Sequence, residues 1–170
     1  MADLKELIIP EYYVPYVMPV LELDLIPGLI VSGNESLEFY RSIKEQSGDY
    51  RYAEGKWSIK EVLTHVLDAE RIFSYRALAF SRNDTTQLPG FDQELYIEQA
   101  HVTNRKLHKI IDELVNIRAT TIDLFSAMSD EILNRTGTAS DVEFSVRALG
   151  YVVMGHELHH RKVIQSKYMV

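Results

Sequence analysis

Near the end of the chain, Gly155 to Lys162 read GHELHHRK and place three histidines and a glutamate in five consecutive positions. His156, Glu157 and His160 match H-E-x-x-H, the zinc-protease helix in which two histidines hold the ion and the glutamate is the general base. The same residues also suit a different metal site, or a hydrogen-bonded histidine cluster. Direction separates these readings. With about 100° per residue and His156 at zero, Leu149, Val152, Val153 and Val163 all fall within about 60° of it, and His160 falls at about +40°. His156 and His160 therefore share the apolar face. His159 lies at its edge, and Leu158 and Lys162 face outward. Glu157, at about +100°, points toward a neighbouring helix more than toward an ion. An imidazole turned into a core must find partners for its nitrogens. One divalent ion would serve both rings, and a hydrogen-bonded core network is the other solution.

The protease pattern fails downstream. Ten residues follow His160, and none is His, Asp or Glu. A third ligand must come from upstream, and His65 is the candidate, on the shoulder of another apolar stripe. Three imidazoles leave a coordination position open for water or substrate, as in catalytic rather than structural sites. Such a site can lower the pKa of water toward about 7 for hydrolysis. It can also hold a substrate thiol as thiolate for S-transfer, a route that needs no cysteine from the protein. Asp68, Glu70 and Glu157 are possible partners for the remaining ring N–H groups, or simply surface and helix-pairing charges. Arg161 is read as a contact for an anionic substrate group or as half of a salt bridge. Trp57 and Tyr75 either line the pocket or pack. His101 and His108 lie two turns apart, about 10 Å, too far for one ion, and are read as surface or dimer-contact residues.

Four long helices must position these side chains. The first begins near Asp24, with Pro27 in its first turn, and runs to about Ile43, although Gly33-Asn34 argues against its continuity. The second starts at Ser58, whose pairing with Glu61 is a capping box; Ile59, Val62, Leu63, Val66, Phe73 and Phe80 form its stripe. The third runs from about Tyr96 to Ala127, through Leu107, Ile110, Ile111, Leu114, Ile122 and Phe125. The last spans about Val146 to Tyr168. Between them, TTQLPGFDQ and SDEILNRTGTASDVEFS read as loops, with a short extended piece at Val142 to Ser145. The prolines at 10, 15 and 19 break the N-terminal segment into short helical or extended pieces. The expected fold is all-α, a four-helix bundle with an irregular N-terminal segment and one longer connection.

The bulk properties narrow the function. A chain of 170 residues suits one domain, 1–170. A net charge of −7 argues against a nucleic-acid surface. The absence of cysteine excludes disulfides, thiolate ligands and a cysteine nucleophile, and fits a reducing cytoplasm. The apolar run from Tyr12 to Leu21 is half of the roughly 20 residues a spanning helix needs, and MADLKELIIPE lacks the basic start of a signal peptide. No membrane and no nucleic-acid partner is expected.

Two stretches, GKWSIKEVLTHVLDAERIFSYRALAFSRND and GHELHHRKVIQ, resemble the DinB/YfiT-like superfamily of bacterial four-helix-bundle metalloproteins, over about Tyr50 to Tyr168. The resemblance implies that His65, His156 and His160 ligate a divalent metal, nickel or zinc, and that His159 is a frequent family histidine without a ligand role. It further implies a homodimer in the cytoplasm. The activity implied is metal-dependent and acts on a small molecule, as a transferase of a low-molecular-weight thiol such as bacillithiol or mycothiol, or as a hydrolase. The alternative is a non-catalytic, metal-binding dimeric bundle acting as a binding or stress-related module.

Overall fold

The computed structural model describes residues 4–169. Four long helices form the body: α2 (Leu25–Ser42), α3 (Ile59–Ser81), α5 (Leu107–Ser126) and α7 (Val146–Lys167). Each packs chiefly on two others, in the cyclic order α2, α5, α3, α7. The consecutive pairs α2–α3 and α5–α7 therefore sit across the diagonal, and the connections between them cross the ends of the bundle. Shorter pieces are α1 (Val14–Val17), α4 (Gln93–Gln99), α6 (Asp130–Leu133) and a hairpin of β1 (Thr136–Ala139) and β2 (Val142–Ser145). The N-terminal segment is a chain of short helical turns, as its prolines require. No single helix among the described residues is long and apolar enough to cross a membrane.

Local chemistry sets the helix starts. Ser58 Oγ accepts from the Glu61 amide, and the Ser58 amide donates back to Glu61 Oε2 at 2.6 Å, so the capping box is formed. Ser145 Oγ accepts from the Ala148 amide and starts α7. The start of α5 is capped from a distance: the Glu45 carboxylate accepts from the amides of Leu107 and His108 at 2.7 and 3.1 Å. A negative charge is favoured at that helix end.

Two expectations need correction. The helix expected over 96–127 is two helices, because His101 adopts left-handed backbone geometry with φ 48° and ends the first one. The loop expected before α7 contains α6 and a hairpin in register Thr136↔Ser145 to Ala139↔Val142. Its two turn residues, Ser140 and Asp141, both have positive φ, the backbone of a tight hairpin turn. The first helix is present as expected: α2 runs unbroken through Gly33-Asn34. Gly33 serves packing: a Cβ there would lie 2.8 Å from Arg118 Nη1.

The core falls into two apolar clusters. One gathers Val17, Leu29, Phe73, Phe80, Phe125, Phe144 and the first half of α7. The other gathers Tyr40, Leu63, Leu67, Leu107, Ile110, Leu114 and Ile164. Between them runs a belt of buried polar side chains that includes His65, Glu70, Arg118, His156 and Glu157. The candidate chemistry lies in that belt.

Candidate metal centre

His65 stands on the second turn of α3, and His156 and His160 stand one turn apart on α7. The α3–α7 packing brings all three together. His156 Nε2 lies 3.1 Å from His65 Nε2 and 3.2 Å from His160 Nε2. One ring nitrogen from each residue falls within 4.8 Å of the others. His65 is 4% exposed and His156 is 8% exposed, with His160 half-buried. Aromatic rings fix their planes: Trp57 stands 5.0 Å from His65 between centroids, and Phe73 meets His156 edge-on at 5.8 Å.

The donor set fits a divalent ion. Nitrogens about 2.0–2.1 Å from a tetrahedral ion are about 3.3 Å apart, close to the two separations observed. A single Nε2 of His156 cannot satisfy two facing Nε2 atoms, since it carries either one hydrogen or one lone pair. A cation at the centre resolves that conflict. Burial pushes the His65 pKa down to about 4 and, helped by the rings of His65 and His159, the His160 pKa down to about 3. Burial and the neighbouring rings also hold His156 well below its usual value. All three are therefore neutral at pH 7, the state that metal ligation needs.

A cavity of about 260 Å³ opens onto the trio. Besides the three histidines it is lined by rings from the N-terminal segment, by Trp57, Phe73 and Phe91, and by Gln93 and His159. A second cavity, about 230 Å³, reaches His160 from the side of Tyr52, Lys56, Val163 and Tyr168. Trp57 walls one from the other, and its Nε1 donates to Glu94 Oε2 at 3.1 Å. A larger cavity than either, about 780 Å³, lies where α2 and α7 begin and α5 ends, far along α7 from the trio. Its volume does not make it the site, because it holds no converging set of donors.

The carboxylates considered as partners for the ring N–H groups are engaged elsewhere. Asp68 pairs with Arg71 at 3.1 Å. Glu70 and Glu157 both face Arg118, which sequence reasoning missed. Arg118 Nε and Nη2 donate to Glu70 at 2.9 and 2.8 Å, and Nη2 also lies 2.9 Å from Glu157 Oε2. That last contact is an ion pair without hydrogen-bond alignment. Burial pushes the Glu157 carboxyl up to about 7 against the pull of Arg118, and the Glu70 carboxylate adds to the push. Burial opposes the charge on Arg118, but the two carboxylates outweigh it and keep the guanidinium protonated. With Glu157 committed to Arg118, the H-E-x-x-H motif lacks its protease base. A signal for Arg118 was present: it lies four residues from both Leu114 and Ile122 on the apolar stripe of α5.

Other side chains settle as follows. Arg161 pairs with Glu35 at 3.1 Å, the salt-bridge alternative. Tyr75 is 57% exposed and does not line the cavity, whereas Trp57 does. His159 is exposed at the cavity rim, its ring edge-on to Tyr16 at 5.0 Å. His108 contacts Glu45 at 3.1 Å. Leu158 does not face solvent as expected; it is half-buried against the first core cluster, because the N-terminal segment covers that side of α7.

A four-helix bundle with three histidines from two helices converging beside an aromatic cavity defines a class of possible metal-site proteins. Residues 31–164 match the family model of the DinB superfamily, and the chain belongs to that family. A curated relative from Oceanobacillus iheyensis, named "Putative metal-dependent hydrolase OB0413", is 25% identical over 124 residues, which cover 72% of this chain and 71% of that one. Among solved structures, YfiT from Bacillus subtilis superposes with a TM-score of 0.69 at 18% identity, covering 83% of this chain and 82% of that one. It is described as a probable metal-dependent hydrolase with an unusual four-helix-bundle topology. The DinB-like protein YjoA from Bacillus subtilis gives 0.57 at 19% identity, covering 85% of this chain and 90% of that one. Both share the fold described above.

Proposed function

We propose that the protein is a metal-dependent enzyme acting on a small molecule, with His65, His156 and His160 as the ligands of one divalent ion. The observation that carries this reading is the convergence of three neutral imidazoles, two buried and one half-buried, at the floor of a cavity. When bound, such an ion supplies Lewis acidity and acidifies a water or a thiol placed on it. The chain's own residues do the rest. Phe73 and Trp57 keep water from the flanks of the rings and hold their planes. His159, at the rim and outside the trio, is placed to accept or return a proton. The cavity admits a small substrate and leaves one side of the trio accessible.

Hydrolysis is the first reading, supported by the names of the relatives. Transfer of a low-molecular-weight thiol is the second, and a specific observation favours it. No carboxylate lines this cavity to act as a base, Glu94 of the neighbouring cavity accepts from Trp57 Nε1, and a thiol on a metal ion is deprotonated without one. Nickel or zinc as the ion, a homodimeric state and a cytoplasmic location complete the proposal; they rest on the family resemblance.

The test is metal analysis of protein purified without chelators, followed by ester, amide and thiol-transfer screens on wild type and His160→Ala. Wild type is expected to carry about one equivalent of metal and the variant to lose it while keeping its helicity. Unchanged metal content in the variant would refute the ligand assignment. Loaded wild type with no turnover in any screen would leave the non-catalytic binding module.

A further inference from the structure

Three of the rings that line the cavity come from outside the region that matches the family. That match begins at residue 31, whereas Tyr12, Tyr13 and Tyr16 line the cavity from the N-terminal segment. The segment is seated closely on α7. A Cβ at position 155 would lie 2.0 Å from the Tyr16 carbonyl oxygen, so only glycine allows this approach. The three tyrosines are tied to one another and to the floor. Tyr12 and Tyr13 meet edge-on at 5.2 Å, Tyr13 meets Phe73 edge-on at 5.9 Å, and Tyr16 stands 5.8 Å from His156. With Trp57, Phe73 and Phe91, they give the cavity six aromatic rings besides the histidines. None of the lining side chains is Asp, Glu, Lys or Arg.

That composition selects among ligands. No cationic side chain lines this cavity to hold a carboxylate or phosphate on the body of a substrate, Lys56 lying in the neighbouring cavity beyond Trp57. An aromatic cage can bind a cation, but three neutral histidines leave the charge of a divalent ion unbalanced beside it, and a cationic body would be repelled. The ring faces favour a flat, uncharged partner. A volume of about 260 Å³ lies just below the range of about 300–1,000 Å³ for drug-sized ligands, which suits one ring with a short reactive arm.

We propose that Tyr12, Tyr13 and Tyr16 roof the site as a specificity pocket, and that the substrate carries an uncharged aromatic ring next to the group that reaches the trio. This inference rests on the metal-centre reading. It is tested by calorimetric binding of two hydroxamates to the zinc-loaded full chain. Benzohydroxamate and acetohydroxamate share a metal-binding head and differ by the ring. Benzohydroxamate is expected to bind about tenfold more tightly, the scale of one good ring contact. In Tyr12→Ala/Tyr16→Ala the preference should fall to about threefold or less, with zinc content and acetohydroxamate affinity unchanged. Tyr16→Phe keeps the ring and should keep the preference, so the proposal stays testable if the double variant does not fold. A ring bearing a trimethylammonium group should bind more weakly than the neutral ring. Equal binding of the two hydroxamates, or tighter binding of the cationic ring, overturns the roof proposal and leaves the metal centre standing. Failure of zinc loading overturns both; zinc loading with neither hydroxamate bound overturns the roof proposal and leaves the metal centre standing.

Discussion

Arg118 with its two carboxylates, and the three histidines, occupy the same polar belt between the same two apolar clusters, and α3 and α7 contribute to both. They differ in how their polarity is balanced. Arg118 has internal partners: two hydrogen bonds to Glu70, an ion pair to Glu157 and a donation to the Leu29 carbonyl at 3.4 Å. It joins α2, α3, α5 and α7, so every long helix of the bundle meets at one guanidinium. The histidines face one another, with no opposite charge among them. A buried cluster that is closed on itself fixes helix rotation and register. A buried cluster that is left open calls for a partner from outside. The first aligns the rods, and the second uses that alignment, since His156 and Glu157 are adjacent on α7 and turning one outward would turn the other.

The largest expected effect breaks the closed cluster. Arg118→Leu leaves two buried carboxylates unpaired and should cost about 3–5 kcal/mol, read as a lower urea midpoint. A loss under about 1 kcal/mol would show that the cluster is not holding the bundle. His156→Ala tests the open one. Metal affinity should fall at least about 100-fold, equivalent to about 2.7 kcal/mol, in competition with a chromophoric chelator. Helicity should persist, because the Arg118 cluster and both apolar clusters are left intact.

The pH dependence of metal-free protein sharpens the contrast. The folded-state pKa values of His65 and His160 lie below the unfolded value of 6.5. The unfolded chain therefore binds protons that the folded chain refuses. The histidine share of stability is complete above about pH 6.5 and is lost as the pH falls toward 4, opposed over part of that window by Glu157, whose raised carboxyl pKa favours the folded state at lower pH. Each such histidine contributes a slope of about 1.4 kcal/mol per pH unit, and His65→Gln should remove one share of it in denaturation series between pH 4 and 6.5.

Smaller effects come from the edges of both clusters. Glu157→Gln removes the carboxylate that Arg118 serves less well and should change stability by less than about 1 kcal/mol. Glu70→Gln loses two aligned charge-assisted hydrogen bonds and should cost more. His159→Ala, on an exposed ring, should leave metal content unchanged and shift stability by about 0.5 kcal/mol or less.

Much of the frame was readable because it rests on local chemistry. The Ser58–Glu61 capping box, the apolar stripe of α3 and the inward direction of His156 and His160 all follow from spacing along one helix. The break at His101 was not readable, since a left-handed histidine leaves no mark in composition. The helix through Gly33 was readable, but the reason for a glycine there lies on another helix, in the side chain of Arg118. The tyrosine roof was missed because segments broken by prolines have no periodicity to point with. Arg118 itself interrupts an apolar stripe, a mark that only becomes informative once Glu70 and Glu157 are seen to converge on it.

The sequence by itself determined which residues can ligate, which faces are apolar and where the main helices begin, because these depend on side-chain chemistry and on a period of 3.6 residues. Tertiary structure alone decided that His65 meets the α7 pair, that Glu157 serves Arg118 rather than the trio, and that three tyrosines from the start of the chain cover the cavity. Those are distances between residues far apart in sequence, and they are set by how the rods pack, which no single rod encodes.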